Sequence, residues 1–195
     1  MAERQAANPT SVDAILAATR RVVTECGPEG FTMSAIAEAA EVSRPTLYKW
    51  FPSKDALLEA FTEYEEELYD ARLQAVVDGQ RTPARKLEAA IRLLVTYLDA
   101  LMGPDPIGAD PGFALQSLAS SLGPQTASFV RLLGDAFDEI PAVRLGRLTR
   151  EQAAELLLRL AYSHYLVPHP EPEVLLANMR SFAGLSRRSI TRAAG

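Results

Sequence analysis

Between Thr32 and Phe51, two short segments of helical periodicity stand almost back to back. Thr32 is a capping residue, and Met33, Ile36, Ala37 and Ala40 follow it at the spacing of one helix face. Only Glu41 and Val42 separate that segment from Ser43, a second capping residue. Pro45 sits in the next first turn, where its missing N–H costs nothing. Leu47 and Phe51, four apart, face a common core. Pro52 ends the segment, and Ser53 caps another that starts at Lys54. This is the layout of a helix-turn-helix, a device for setting one helix into the major groove of DNA.

The net charge of −5 argues against nucleic acid until it is read locally. From Ser43 to Lys54 the charged residues are Arg44, Lys49 and Lys54, with no acid among them. The acids gather later, at Glu63, Glu65, Glu66, Glu67 and Asp70. A small basic face on an acidic body can dock on phosphate while the body limits non-specific sticking. Within the second segment, Arg44 is placed to fork onto a guanine. Thr46 and the ring of Pro45 can touch a thymine methyl. Tyr48 can give its hydroxyl to a phosphate, Lys49 can reach phosphate or base, and Trp50 can meet the backbone through its indole N–H. Thr32 and Lys54, each at a helix start, can grip phosphates with help from exposed N–H groups.

The rest of the 195-residue chain reads as helix throughout. A first helix runs from a cap at Thr10 to Cys26, with Ile15, Leu16, Val22, Val23 and Cys26 on its apolar stripe, so Cys26 is expected to be a buried thiol. A fourth spans Lys54 to Asp78, with an acidic middle expected in solvent. A fifth opens at Pro83. Gly103 to Gly112, rich in Gly and Pro, is a loop. Short helices are expected at about 113–121 and 125–139, divided by Gly123 and Pro124. Thr149 with Gln152 makes a capping box for a helix to Leu166. Pro168, Pro170 and Pro172 then intervene before a last helix at about 173–185 and a basic tail with Arg187, Arg188 and Arg192. No segment alternates with period two. The expected fold is all-α with about nine helices: a helix-turn-helix domain over residues 1–55 and a larger helical domain over 56–195.

Other function classes find little support. Hydrophobic content of 48% is ordinary for a globular protein, and no run of 18 apolar residues offers a membrane span. The N-terminus lacks the apolar stretch of a secretory signal, so a cytoplasmic location is expected. The histidines, His164 and His169, fit no metal-ligand spacing, and no nucleophile–base pattern or phosphate loop is visible. No catalytic residue, metal or cofactor is expected. An all-α enzyme and a DNA-binding architectural protein without an effector stay open as alternatives.

In the second domain, Leu156, Leu160, His164, Leu175, Met179 and Phe182 lie on wide apolar stripes that call for more than one neighbour. A dimer interface accounts for them better than an intramolecular core alone. Tyr97, Gln116, Arg131, Tyr162 and His164 are the polar candidates beside apolar helices, suited to a small and largely apolar ligand.

Residues 10–61 resemble the DNA-binding head of the TetR family of bacterial transcriptional regulators. Phe31-Thr32-Met33, Val42-Ser43, Pro45-Thr46-Leu47-Tyr48, Phe51 and Ser53-Lys54 carry the resemblance. It implies an all-helical homodimer that represses from a palindromic operator and is released by a small effector. It implies DNA contacts at Thr32, Ser34, Arg44, Pro45, Thr46, Tyr48, Lys49, Trp50 and Lys54. Two positions depart from the family pattern. Glu41 stands where glycine is usual in the turn, and Trp50 replaces a histidine or tyrosine.

Overall fold

A computed structural model describes residues 12–26, 30–102, 111–167 and 171–185. The expected cap at Thr10, most of the loop from Gly103 to Gly112, Pro168, His169, Pro170 and the tail arginines Arg187, Arg188 and Arg192 lie outside them.

The described residues form nine α-helices in the order α1 (Val12–Cys26), α2 (Met33–Ala39), α3 (Arg44–Trp50), α4 (Lys54–Asp78), α5 (Pro83–Met102), α6 (Pro111–Leu133), α7 (Pro141–Arg144), α8 (Arg150–Leu166) and α9 (Pro172–Phe182). A 3₁₀ turn over Gly134–Glu139 links α6 to α7. The chain divides into one compact unit of Met1–Glu65 with Leu101–Ala114 and another of Glu66–Ala100 with Leu115–Gly195. The division crosses α4, α5 and α6, and Leu57, Leu58 and Phe61 of the first turns of α4 belong to the apolar core of the first unit.

That core joins Ile15, Ala18 and Val22 of α1 to Phe31, Ile36, Leu47 and Phe51. Thr19 is buried among them and donates its hydroxyl to the Ile15 carbonyl at 2.9 Å. Gly30 is required by space: a β-carbon there would meet Cys26 Cβ at 2.6 Å and Val22 Cγ1 at 3.0 Å. Cys26 itself is exposed, which overturns the expected buried thiol. As the last residue of α1, it sits where the apolar stripe has already left the core.

The middle of α4 also departs from expectation. Phe61, Glu65, Tyr69, Leu73 and Val77 are all buried and recur every four residues. They form one continuous stripe, and the acids at Glu63 and Glu67 occupy its exposed flank. Glu65 is met by Arg20 at 3.4 Å within the first unit.

In the second unit, Tyr69 packs edge-on against Tyr97 at 4.9 Å and parallel to Phe129 at 6.0 Å. Leu87, Ile91 and Leu94 of α5 and Ala153, Leu157 and Ala161 of α8 are buried in the same unit. Helix α6 is continuous where two short helices were expected. Pro124 removes one ladder donor, but Gly123 and Pro124 are both exposed, so the loss falls on a hydrated face. Leu118 and Phe129, on either side of the proline, are both buried and hold one helix axis. The capping box at Thr149 forms as expected: its hydroxyl accepts from the Gln152 N–H at 3.2 Å, and its own N–H donates to Gln152 Oε1 at 2.9 Å.

The Tyr69 hydroxyl is buried and meets no hydrogen-bond partner among the described residues. Burial holds its pKa well above the ordinary 10.0, with Tyr162, Tyr97 and Asp70 adding to the shift. Burial, with Glu66 nearby, raises Tyr162 in the same direction. Both phenols therefore stay neutral in the fold and ionise more readily in the unfolded chain. Stability is fully present below about pH 10 and falls as pH rises towards the folded values, by roughly 1 kcal/mol per pH unit for each tyrosine. Tyr69→Phe removes one of these contributions and an orphaned hydroxyl. Urea unfolding should show equal or greater stability at pH 7 and a shallower loss above pH 10; an unchanged alkaline slope would contradict the burial of this group.

Candidate nucleic-acid interface

The seven residues of α3 are held from one side. Ser43 caps the helix, its oxygen accepting from the Thr46 N–H at 3.2 Å. The Ser43 and Thr46 hydroxyls lie 2.7 Å apart. Thr46 thus spends part of its polar capacity inside the helix cap. Leu47 is 0% exposed and Phe51 is buried, which fixes the inward face. Arg44, Pro45 and Lys49 are exposed, as are Tyr48 at 42% and Trp50 at 46%. Two large aromatic side chains left that open on so short a helix form a surface suited to contact.

The flanking positions extend this surface. Thr32 caps α2 by accepting from the Ala35 N–H at 3.2 Å, which leaves its own hydroxyl proton to donate. Ser34 is exposed in the first turn of α2. Lys54 is exposed at the start of α4, where its ammonium sits 5.5 Å from the centre of the Phe31 ring. That cation–π contact ties the cation to the head core. Ser53 caps α4 by accepting from the Ala56 N–H at 3.1 Å. All nine residues expected to meet DNA thus lie in one unit, Thr32 and Ser34 at the start of α2, six along α3 and Lys54 at the start of α4.

The turn before α3 is tight. The Val42 N–H donates to the Ala37 carbonyl and the Glu41 N–H to the Glu38 carbonyl, each at 3.0 Å. These bonds make a Schellman turn, which needs a left-handed residue at Glu41. Glu41 supplies it at φ 56°. The missing glycine therefore leaves the turn geometry intact, at the expense of backbone strain.

In the second unit the ligand candidates do not converge as a set. Tyr97 and Tyr162 are both buried and both neighbour Tyr69. Tyr162 donates to Gln125 Oε1 at 2.8 Å. The Arg72 guanidinium lies 5.2 Å over the Tyr97 ring. Arg131 is already paired with Asp70 at 2.6 Å and donates to Ser128 at 3.0 Å, and Ser128 also donates to Asp70. Gln116 is exposed and His164 half-buried. An open groove of about 380 Å³ lies along Ala75, Val76, Ala89, Arg92 and Leu93, and none of the five candidates lines it. Sequence reading missed Tyr69, Asp70, Gln125 and Ser128. The four-residue repeat from Phe61 to Val77 was the signal available for Tyr69.

The interface candidates divide. Leu156 is exposed, while Leu160, His164 and Phe182 are half-buried. Leu175 and Met179 are buried by the chain itself, so they are removed from the expected interface. Their stripe on α9 serves the intramolecular core.

Among the described residues, no helix is long and apolar enough to cross a membrane, and no cluster of His, Cys, Asp and Glu could hold a metal. A capped recognition helix, a tight turn and a basic rim define a helix-turn-helix DNA-binding head. Residues 15–61 match the family described as bacterial regulatory proteins, tetR family. The HTH-type transcriptional repressor KstR of Rhodococcus jostii is 34% identical over 93 residues, covering 48% of this chain and 41% of that repressor. The chain spans less than half the length of the curated relatives it matches. Two solved structures share the fold. The fatty acid degradation regulator FadR of Bacillus halodurans superposes with a TM-score of 0.56 at 17% identity, covering 90% of this chain and 97% of that one. The TetR family repressor AlkX of a Dietzia strain gives 0.53 at 17% identity, covering 88% and 92%.

Arg44→Ala should weaken binding to a preferred duplex by roughly 1–3 kcal/mol and relax selectivity at one base pair. Lys54→Ala should weaken all sequences alike and flatten the salt dependence by about one unit of slope. Fluorescence anisotropy on matched and scrambled duplexes separates the two; identical behaviour of both variants would contradict the division into base and phosphate contacts.

Proposed function

We propose that this chain is a homodimeric, sequence-specific repressor of transcription in the cytoplasm, released from a palindromic operator by a small, largely apolar molecule bound in the second unit. The observation that carries the DNA part is α3 itself, pinned by fully buried Leu47 while Arg44, Tyr48, Lys49 and Trp50 stand in solvent. The likeness to a repressor over 93 residues supports the sign of regulation. The row of exposed Leu156 and half-buried Leu160 and His164, four apart on α8, supports pairing with a second copy, and Phe182 of α9 is also only half-buried. Two copies would place two recognition helices in successive major grooves.

Release needs a ligand that binds the DNA-incompetent state more tightly than the competent one. Tyr97 and Tyr162, both buried near Tyr69, are the candidates closest to the aromatic core of the second unit. Helix α4 carries residues of both units and is one of three covalent routes between them, with α5 and α6. The regulator reading leaves no role for catalysis.

Selection of duplexes from random DNA by the full chain should enrich a near-palindrome with half-sites about one or two helical turns apart. Screening apolar compounds for release from that duplex should then yield an effector. No enrichment would refute the DNA reading. Enrichment without any compound that alters affinity or melting would favour the effector-free architectural protein.

A further inference from the structure

The C-terminus of α2 contains one bond that the helix-turn-helix pattern alone does not call for. Within the turn, the Ala37 and Glu38 carbonyls accept from Val42 and Glu41. The carbonyl of Ala39, the last residue of α2, accepts instead from Arg21 Nη2 of α1 at 2.8 Å, across 18 residues of sequence. Two residues further on, Glu41 holds its left-handed φ of 56°. A side chain in that conformation strains the backbone, and a carboxylate at a helix C-terminus opposes the helix dipole. Both effects loosen the link that aims α3. A guanidinium on the terminal carbonyl has the opposite effect, because it places positive charge at the negative end of the helix and ties that end to α1.

We propose that Arg21 is a positioning residue for DNA recognition, clamping the strained turn at Glu41 so that α3 is presented at a fixed angle. The proposal rests on the DNA-docking reading of α3. Arg21 acts through the α2 carbonyl and not by touching DNA. Its importance is set by Glu41: with glycine in the turn there is less strain to restrain, and the clamp becomes dispensable.

The test is a double-mutant cycle on the full chain, using the duplex selected from random DNA and a scrambled duplex. Circular dichroism establishes that each variant is folded at the assay temperature. Arg21→Ala should weaken selected-duplex binding about tenfold and lower the ratio of selected to scrambled affinity. The salt slope should not change, because no phosphate contact is lost. Glu41→Gly should bind at least as well as the parent, and adding it to Arg21→Ala should restore most of the loss. A salt slope lower by about one would make Arg21 a phosphate contact and overturn the proposal. So would parent-like binding by Arg21→Ala, an unchanged selectivity ratio, or no rescue by glycine. If Arg21→Ala alone fails to fold, the comparison moves into the glycine background, where a loss greater than about threefold overturns it. Lys54→Ala serves as the control: if it too leaves binding unchanged, the DNA-docking reading has failed rather than the clamp.

Discussion

Helix α3 has only seven residues, and a helix that short does not persist in water on its own. Its existence depends on Leu47, which is fully buried among side chains of α1, α2 and the first turns of α4. Removing a leucine side chain from water is worth roughly 2 kcal/mol, comparable to the cap and a few ladder bonds together. That anchor also sets function. With Leu47 and Phe51 held inward, Tyr48, Lys49 and Trp50 have no course but outward. The basic and aromatic face is therefore a consequence of packing on the opposite side.

The two units are built on different physics. The head core is almost wholly apolar, with Thr19 bonded back to its own helix. The second unit mixes aromatic packing with polar links: Tyr162 to Gln125, and Asp70 to Ser128 and Arg131. Tyr69 lies between these polar groups and its own aromatic contacts, with its hydroxyl unsatisfied. A buried polar group of that kind lowers stability, and phenylalanine would fill almost the same space without the penalty.

Much of the head was legible in the sequence because its signals are local. Ser43, Pro45, Pro52 and Ser53 mark helix ends through their own backbone chemistry, and Lys54–Asp78 was bounded correctly for the same reason. Thr149 and Gln152 announced α8 in the same way. What was missed depends on partners distant in sequence. The stripe through Glu65 and Tyr69 was hidden by acids on the adjacent flank. Pro124 reads as a breaker, yet buried neighbours on both sides hold α6 straight through it. Cys26 follows the helical period of α1 but outlasts the core beneath it. Leu175 and Met179 fit an interface pattern equally well as a core pattern, and only packing distinguishes the two. Glu41 looked like a departure from the usual turn; the backbone accepts the strain and keeps the turn.

Trp50 is the only tryptophan in the chain and stands 46% exposed on the outward face of α3. Its fluorescence therefore reports on that face without any label. Titration of the full chain with a duplex selected from random DNA should quench or blue-shift the emission in step with binding measured by anisotropy. Saturating, sequence-specific binding with no change in Trp50 emission would show that DNA docks elsewhere and would contradict the assignment of α3 as the recognition helix.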